Sequence, residues 1–134
     1  MVNDVLHRLV GRMPLEDFNE QIRERRMAHF KNVFEGDALE RVLTVPQLER
    51  LLHEDARLTP NIDIFDGTHL RRFVDQPRRA EQTNFDIVAE NLRRAATIRI
   101  RAVDQFDPRL GGLIRGLEQT LVGQCDGNIY LTPP

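Results

Sequence analysis

His53 and Asp55 stand two positions apart, the spacing of two ligands in the His/Asp/His triad that holds non-haem Fe(II). Both fall near the end of a predicted helix, in which a step of two residues rotates the side chain by about 200°. The two side chains therefore point apart, and adding His69 as a third ligand does not correct that geometry. We predict a polar helix end here rather than a metal site, and we interpret His7 and His29 likewise as structural or surface residues.

Nucleophilic and acid–base chemistry also lack a convincing residue set. The sequence contains no serine, and its one cysteine, Cys125, has no histidine nearby in the sequence to activate it. The acidic pairs Glu16-Asp17 and Glu54-Asp55 are sequence neighbours, which do not face each other on a helix. We therefore predict no catalytic residue and no metal ligand. A single cysteine excludes an intrachain disulfide and favours a reducing cytoplasm.

The elements that would position any site follow from hydrophobic periodicity and turn signals. Thr44 and Thr83 are predicted helix caps, Asp107 begins the clearest amphipathic helix, and Asp66-Gly67 is the turn that closes a strand. The predicted helices cover 2–10, 14–26, 46–58, 84–96 and 107–122, and the predicted strands cover 61–65, 98–102 and 128–132, with a further short strand possible over 27–34.

Composition limits the class of protein. A chain of 134 residues, 40% apolar and 30% charged, fits one soluble globular domain. No apolar run approaches the length needed to cross a bilayer, so no membrane partner is expected. The net charge of −2 creates no global attraction for nucleic acid, although eighteen arginines against one lysine keep contact with RNA or a ribosome surface open.

The order of elements predicts an α+β fold. We expect residues 1–134 to form a single unit, with a helical and mixed region over 1–83. Residues 84–134 then follow as helix, strand, helix and strand.

The segment from about residue 84 to the end resembles the region leading into the catalytic barrel of JmjC/cupin-type oxygenases, especially the ribosomal-protein hydroxylase branch. The resemblance rests on the helix at 84–96, the strand Thr97-Ile-Arg-Ile-Arg-Ala-Val103, and the helix opened by Asp104-Gln-Phe-Asp-Pro108. Its most specific part is Asn128-Ile-Tyr-Leu-Thr-Pro-Pro134. The upstream elements match the same family more loosely.

This resemblance implies a helical N-terminal cap that leads into the first strands of a double-stranded β-helix barrel. Enzymes of the family use Fe(II), 2-oxoglutarate and O₂ to hydroxylate a side chain, commonly on a protein or peptide. By the same resemblance, Asn128 and Tyr130 line the 2-oxoglutarate pocket, and Thr132 continues their face. An amide and a phenol two apart on a strand can both hydrogen-bond a carboxylate.

In the family the HxD metal motif follows the NxYLTPP strand, and Pro134 precedes it here. We therefore expect the chain to be the first part of an oxygenase, with the parent protein as the enzyme. This chain alone is expected to bind neither Fe(II) nor 2-oxoglutarate. We also expect the missing barrel to leave the apolar faces of 98–102 and 128–132 uncovered.

A second hypothesis comes from a different class of protein. The chain could be a non-catalytic interaction module of the same ancestry, which forms a homodimer or docks a partner through its uncovered strand edges.

Overall fold

The computed structural model describes residues 13–27, 29, 42–121 and 123–134. The α-helices in these ranges are α1 (Leu15–Arg23), α2 (Val45–Glu54), α3 (Asn84–Arg93) and α4 (Pro108–Leu121). The strands are β1 (Ile62–Asp66), β2 (His69–Arg72), β3 (Thr97–Ile100) and β4 (Ile129–Leu131). Short 3-10 helices cover Ala56–Asn61, Phe73–Asp75 and Val103–Gln105. The predicted helix over 2–10 and most of the possible strand over 27–34 lie outside the described residues.

Side-chain caps fix where three of the helices begin. The Thr44 hydroxyl accepts a hydrogen bond from the Gln47 backbone N–H at 3.3 Å, and the Gln47 side chain accepts one from the Thr44 N–H at 2.8 Å. Thr83 and Asp86 form the same reciprocal pair at the start of α3. Asp107 Oδ1 accepts from the second and third residues of α4. These bonds satisfy backbone donors that a helix start leaves open, and they confirm the three predicted helix starts.

The strands form one open antiparallel sheet in the order β2-β1-β3-β4. Strand β2 was not predicted, because its sequence, HLRR, has neither alternation nor β-branched residues. The signal that could have found it is Asp66-Gly67: Gly67 adopts φ +61°, and the chain returns so that His69 pairs with Asp66. The turn therefore closes a hairpin rather than only ending a strand.

The core lies between the sheet and helices α2 and α3. Ile64 and Ile100 from the sheet are fully buried, as are Leu58 and Phe73 from the 3-10 helices. The helices add these buried side chains to the same cluster: Leu48, Leu52, Ile87 and Val88. One face of the sheet is therefore covered by apolar side chains of the described helices.

The prediction that the apolar face of 98–102 lies uncovered was wrong. Ile98 and Ile100 are 0% exposed, because α3 and the rest of the core pack on them. Ile129 and Leu131 are partly buried against the same core. The α+β prediction is confirmed, whereas the described strands form an open sheet and no barrel. No helix in the described ranges is long and apolar enough to span a membrane.

Candidate functional site

The predicted cosubstrate residues lie on and beside strand β4. Side chains alternate along a strand, so Asn128, Tyr130 and Thr132 share one side of the sheet, opposite to the side on which Ile129 and Leu131 meet the core. Tyr130 is 60% exposed, and Asn128 and Thr132 are also exposed. The structure thus brings the three predicted residues together in one polar line.

Two members of this line also hold β4 in place. Asn128 Oδ1 accepts a hydrogen bond from the Ala102 backbone N–H at 3.1 Å. The hydroxyls of Thr97 and Thr132 are 3.5 Å apart across the β3–β4 pair. The Asn128 amide nitrogen and the Tyr130 and Thr132 hydroxyls remain the donors of the line. That these three residues contact a cosubstrate carboxylate stays a prediction.

Tyr130 is the end of a polar row that crosses all four strands. The register pairs Arg72 of β2 with Asp63 of β1, Asp63 with Arg99 of β3, and Arg99 with Tyr130 of β4. We call these four residues the polar row. It lies on the face of the sheet opposite to the isoleucine core, with Phe65 and Leu70 as apolar neighbours on the same face.

Asp63 is the buried centre of the polar row. Its side chain is only 6% exposed, and its Oδ2 atom accepts from Arg99 Nε at 3.0 Å and Arg99 Nη2 at 2.7 Å. Arg101 Nε lies 3.0 Å from the same oxygen. A buried carboxylate is tolerated only when it is paired, and here two guanidinium groups provide the pairing.

Arg99 joins this carboxylate to the aromatic residues of the face. Its guanidinium carbon lies 5.2 Å from the centre of the Phe65 ring, within the range of a cation–π contact. The Asp63 carboxylate, and after it the Tyr130 hydroxyl, raise the pKa of Arg99 above its ordinary value. The guanidinium therefore has the carboxylate and the ring of β1 on one side of its strand and Tyr130 of β4 on the other.

Neither Asp63 nor its contact with Arg99 was predicted from the sequence. Alternation in Asn61-Ile-Asp-Ile-Phe65 does place Asp63 on the polar side of its strand. That β1 pairs with β3 in this register is a tertiary fact, and no local pattern carries it. The signal available in the sequence was Asp63 between two isoleucines in one strand and Arg99 between two isoleucines in another.

Tyr130 and Thr132 also line a groove of about 560 Å³ beside the end of α3. The other walls are Leu92, Arg93 and the two final prolines. The groove is open and mostly apolar, and Arg93 is the one residue with a charged side chain among those that line it. Through Tyr130 and Thr132, the groove is continuous with the polar side of β4.

His53 and Asp55 have separate structural partners. The His53 ring stacks on Phe85 with centroids 4.3 Å apart, and its Nδ1 lies 3.2 Å from the Thr83 hydroxyl. Asp55 accepts from the backbone and side chain of Arg57, whose hydrogen bonds hold the pKa of Asp55 below its ordinary value. Within the described ranges, no group of three or more His, Cys, Asp or Glu side chains is arranged to hold a metal ion.

Cys125 is partly buried, and its backbone N–H donates to Glu118 Oε1 at 3.1 Å. His69 forms the start of β2 and is exposed, as is His29, while His7 lies outside the described residues. None of these contacts forms a nucleophile–base pair. The candidate site is therefore the polar row together with the polar line of β4.

No family model, curated protein or solved structure matches this chain.

Proposed function

We propose that this chain is the N-terminal part of an Fe(II)- and 2-oxoglutarate-dependent hydroxylase of the JmjC/cupin type, acting on a protein or peptide side chain. The proposal starts from the NxYLTPP resemblance of residues 128–134. The observation that supports it best is the placement of Asn128, Tyr130 and Thr132 together on the side of β4 opposite to the core. A cytoplasmic location belongs to the same proposal.

The residues present fit one wall of a 2-oxoglutarate site. The Tyr130 and Thr132 hydroxyls and the Asn128 amide can each donate to a carboxylate, and Arg99 adds a positive charge beside them. The polar row contains one carboxylate, on Asp63, which is already bound to two arginines. An anionic ligand on this face would therefore meet donors and cations rather than free acidic groups.

The described residues do not fit the metal, because no suitable group of ligands is present among them. In this proposal the ligands come from the segment that follows the NxYLTPP motif in the family. The free edge of β4 supports such an arrangement: β4 pairs only with β3 in the described sheet, so its other edge can accept a further strand. The remainder of the barrel is assigned to that segment.

The mass of the protein made from its native gene tests the first step of the proposal. We expect an intact mass above 15.6 kDa, with an HxD motif shortly after Pro134. A mass of 15.6 kDa would contradict the proposal and limit the family resemblance to ancestry.

The alternative function is an interaction module without catalysis. It is supported by the two edge strands, β2 and β4, and by exposed apolar side chains such as Leu70 on β2. The occupant would be a second copy of this chain or a protein partner. Light scattering separates the two functions for this chain: a concentration-dependent dimer favours the module, whereas a clean monomer counts against it. Binding of RNA that weakens steeply with salt would identify a further partner.

A further inference from the structure

We infer that Arg99 is a positioning residue for Tyr130, and that the buried Asp63 carboxylate acts on the phenol through Arg99. The polar row thus sets the conformation of the Tyr130 side chain. This inference concerns the conformation of Tyr130 and needs no bound ligand. Only its consequence for cosubstrate binding rests on the proposed function.

The first step is that Asp63 fixes the plane of the Arg99 guanidinium. Arg99 Nε and Nη2 both donate to Asp63 Oδ2, at 3.0 Å and 2.7 Å. Two donors from one planar group on one oxygen remove the freedom to rotate about the long side chain. The side chain of Asp63 is 6% exposed, so water competes little for this oxygen.

The second step is that Arg99 lies between Phe65 of β1 and Tyr130 of β4. Its guanidinium carbon is 5.2 Å from the centre of the Phe65 ring, and Tyr130 is directly opposite Arg99 in the β3–β4 register, so the Arg99 and Tyr130 side chains are neighbours on one face of the sheet. The Tyr130 hydroxyl also contributes to the raised pKa of Arg99. An exposed tyrosine on an edge strand would otherwise sample several staggered rotamers.

A purely structural role for this cluster would be to join β1 to β3. That role predicts a loss of stability when Asp63 or Arg99 is changed, but no change in the Tyr130 side chain of the molecules that remain folded. The two roles therefore differ in an observable that belongs to Tyr130 alone.

The composition makes this observable accessible. Tyr130 is the only tyrosine and the chain has no tryptophan, so tyrosine-labelled NMR samples and ultraviolet fluorescence report on one residue. Three-bond couplings give the χ1 rotamer populations of Tyr130. Acrylamide quenching of its fluorescence gives the accessibility of its ring.

We expect one dominant χ1 rotamer in the unmodified chain and averaging among rotamers in Arg99→Gln. Asp63→Asn should cause the same averaging, although Asp63 acts on Tyr130 only through Arg99. Quenching should rise by less than about twofold in both, because the ring is already 60% exposed. Arg99→Lys, which keeps the charge but loses the planar fork, tests the same step if Arg99→Gln is too unstable to fold.

Arg101→Gln is the matched control. Arg101 binds the same Asp63 Oδ2 atom as Arg99. Only Arg99 lies opposite Tyr130 in the β3–β4 register, and Arg101 is two positions further along the chain. Its loss should lower stability and leave the Tyr130 rotamer unchanged. The inference is overturned if Arg99→Gln and Arg99→Lys both leave the rotamer populations unchanged, or if Arg101→Gln alters them as much as Arg99→Gln.

The consequence for function is tested in the complete gene product. We expect Arg99→Gln and Tyr130→Phe each to raise KM for 2-oxoglutarate about tenfold, and the double variant to raise it by less than the product of the two effects, since part of the effect of Arg99 acts through Tyr130. A double variant whose effects simply multiply would overturn the functional consequence of the relay. Absence of any turnover would count against the proposed function and leave the NMR result on Tyr130 standing.

Discussion

The guanidinium of Arg99 lies against the carboxylate of Asp63, with Nη2 2.7 Å from Oδ2, although 36 positions separate the two residues in the chain. This contact joins the two central strands on the face opposite to the isoleucine core. It also explains why a carboxylate that is only 6% exposed is tolerated there. Asp63, Arg99 and Arg101 therefore form a specific polar cluster on that face.

Asp63→Asn should lower the free energy of unfolding by about 2–3 kcal/mol, because it leaves Arg99 and Arg101 without their shared carboxylate. The loss is below that of a fully buried ion pair, since Arg101 is half exposed and water can replace part of its bonding. Urea unfolding at neutral pH measures it.

Asp66→Asn is the matched control on the same strand. Asp66 also pairs with an arginine, Arg71, at 3.2 Å, but both side chains are exposed to water. Its loss should cost less than about 0.5 kcal/mol. Equal losses for the two variants would show that the burial of Asp63 does not matter for stability.

Tyr130→Phe should change the free energy of unfolding by less than about 0.5 kcal/mol, because the hydroxyl lies on an exposed edge strand. Ile100→Ala, by contrast, should cost about 3 kcal/mol, because that side chain is fully buried on the opposite face of the sheet. Thermal and urea unfolding of both variants give the comparison. A large loss in Tyr130→Phe would mean that Tyr130 is needed for folding.

Two neighbouring glycines of α4 should respond to alanine with opposite signs. A Cβ at Gly111 would lie 2.7 Å from the Asp104 backbone oxygen, a contact that requires the chain to move. A Cβ at Gly112 would meet no atom within 4 Å. We expect Gly111→Ala to destabilise the protein by about 1–3 kcal/mol. Gly112→Ala should stabilise it by up to about 1 kcal/mol, through helix propensity. Urea unfolding of the pair measures both, and a stabilised Gly111→Ala would contradict the close approach of Asp104.

The hydrogen bonds at the cap of α3 should contribute to the pH dependence of the protein's stability. The Thr83 backbone N–H, and after it the Thr83 hydroxyl, hold the pKa of Asp86 below its ordinary value. A carboxyl group with a lowered folded-state pKa stabilises the fold above its ordinary pKa and loses that contribution as the pH falls through the folded-state value.

Asp86→Asn should therefore lower the melting temperature near pH 7, and the difference from the unmodified protein should shrink below about pH 3. Melting curves across this range, followed by circular dichroism, measure it. A difference that stays constant with pH would mean that the charge of Asp86 contributes nothing to the cap.

Local signals in the sequence predicted most of the secondary structure. The caps at Thr44, Thr83 and Asp107 satisfy backbone donors within a few residues, so the sequence alone determines them. The period-2 pattern of Ile98 and Ile100 likewise predicts β3. Strand β2 was missed because its sequence carries no strand pattern of its own. It is identified as a strand only by its pairing with β1.

Only part of the candidate site could be predicted from the sequence. Asn128, Tyr130 and Thr132 came from the family resemblance, and alternation along one strand is enough to place them on one face. Asp63 and its bonds to Arg99 depend on how β1 and β3 pair, which only tertiary structure determines. The error over the apolar faces has a related cause: the sequence does not say which helices cover Ile98 and Ile100.

The proposed function is tested most directly by the melting temperature of the complete native gene product with and without Mn(II) and 2-oxoglutarate. We expect a rise of several degrees at saturating ligand, since both would bind only the folded protein. The 134-residue chain, measured in parallel, should show no rise. No rise in the complete product, or an equal rise in the 134-residue chain, would contradict the assignment of this chain to the N-terminal part of such an oxygenase.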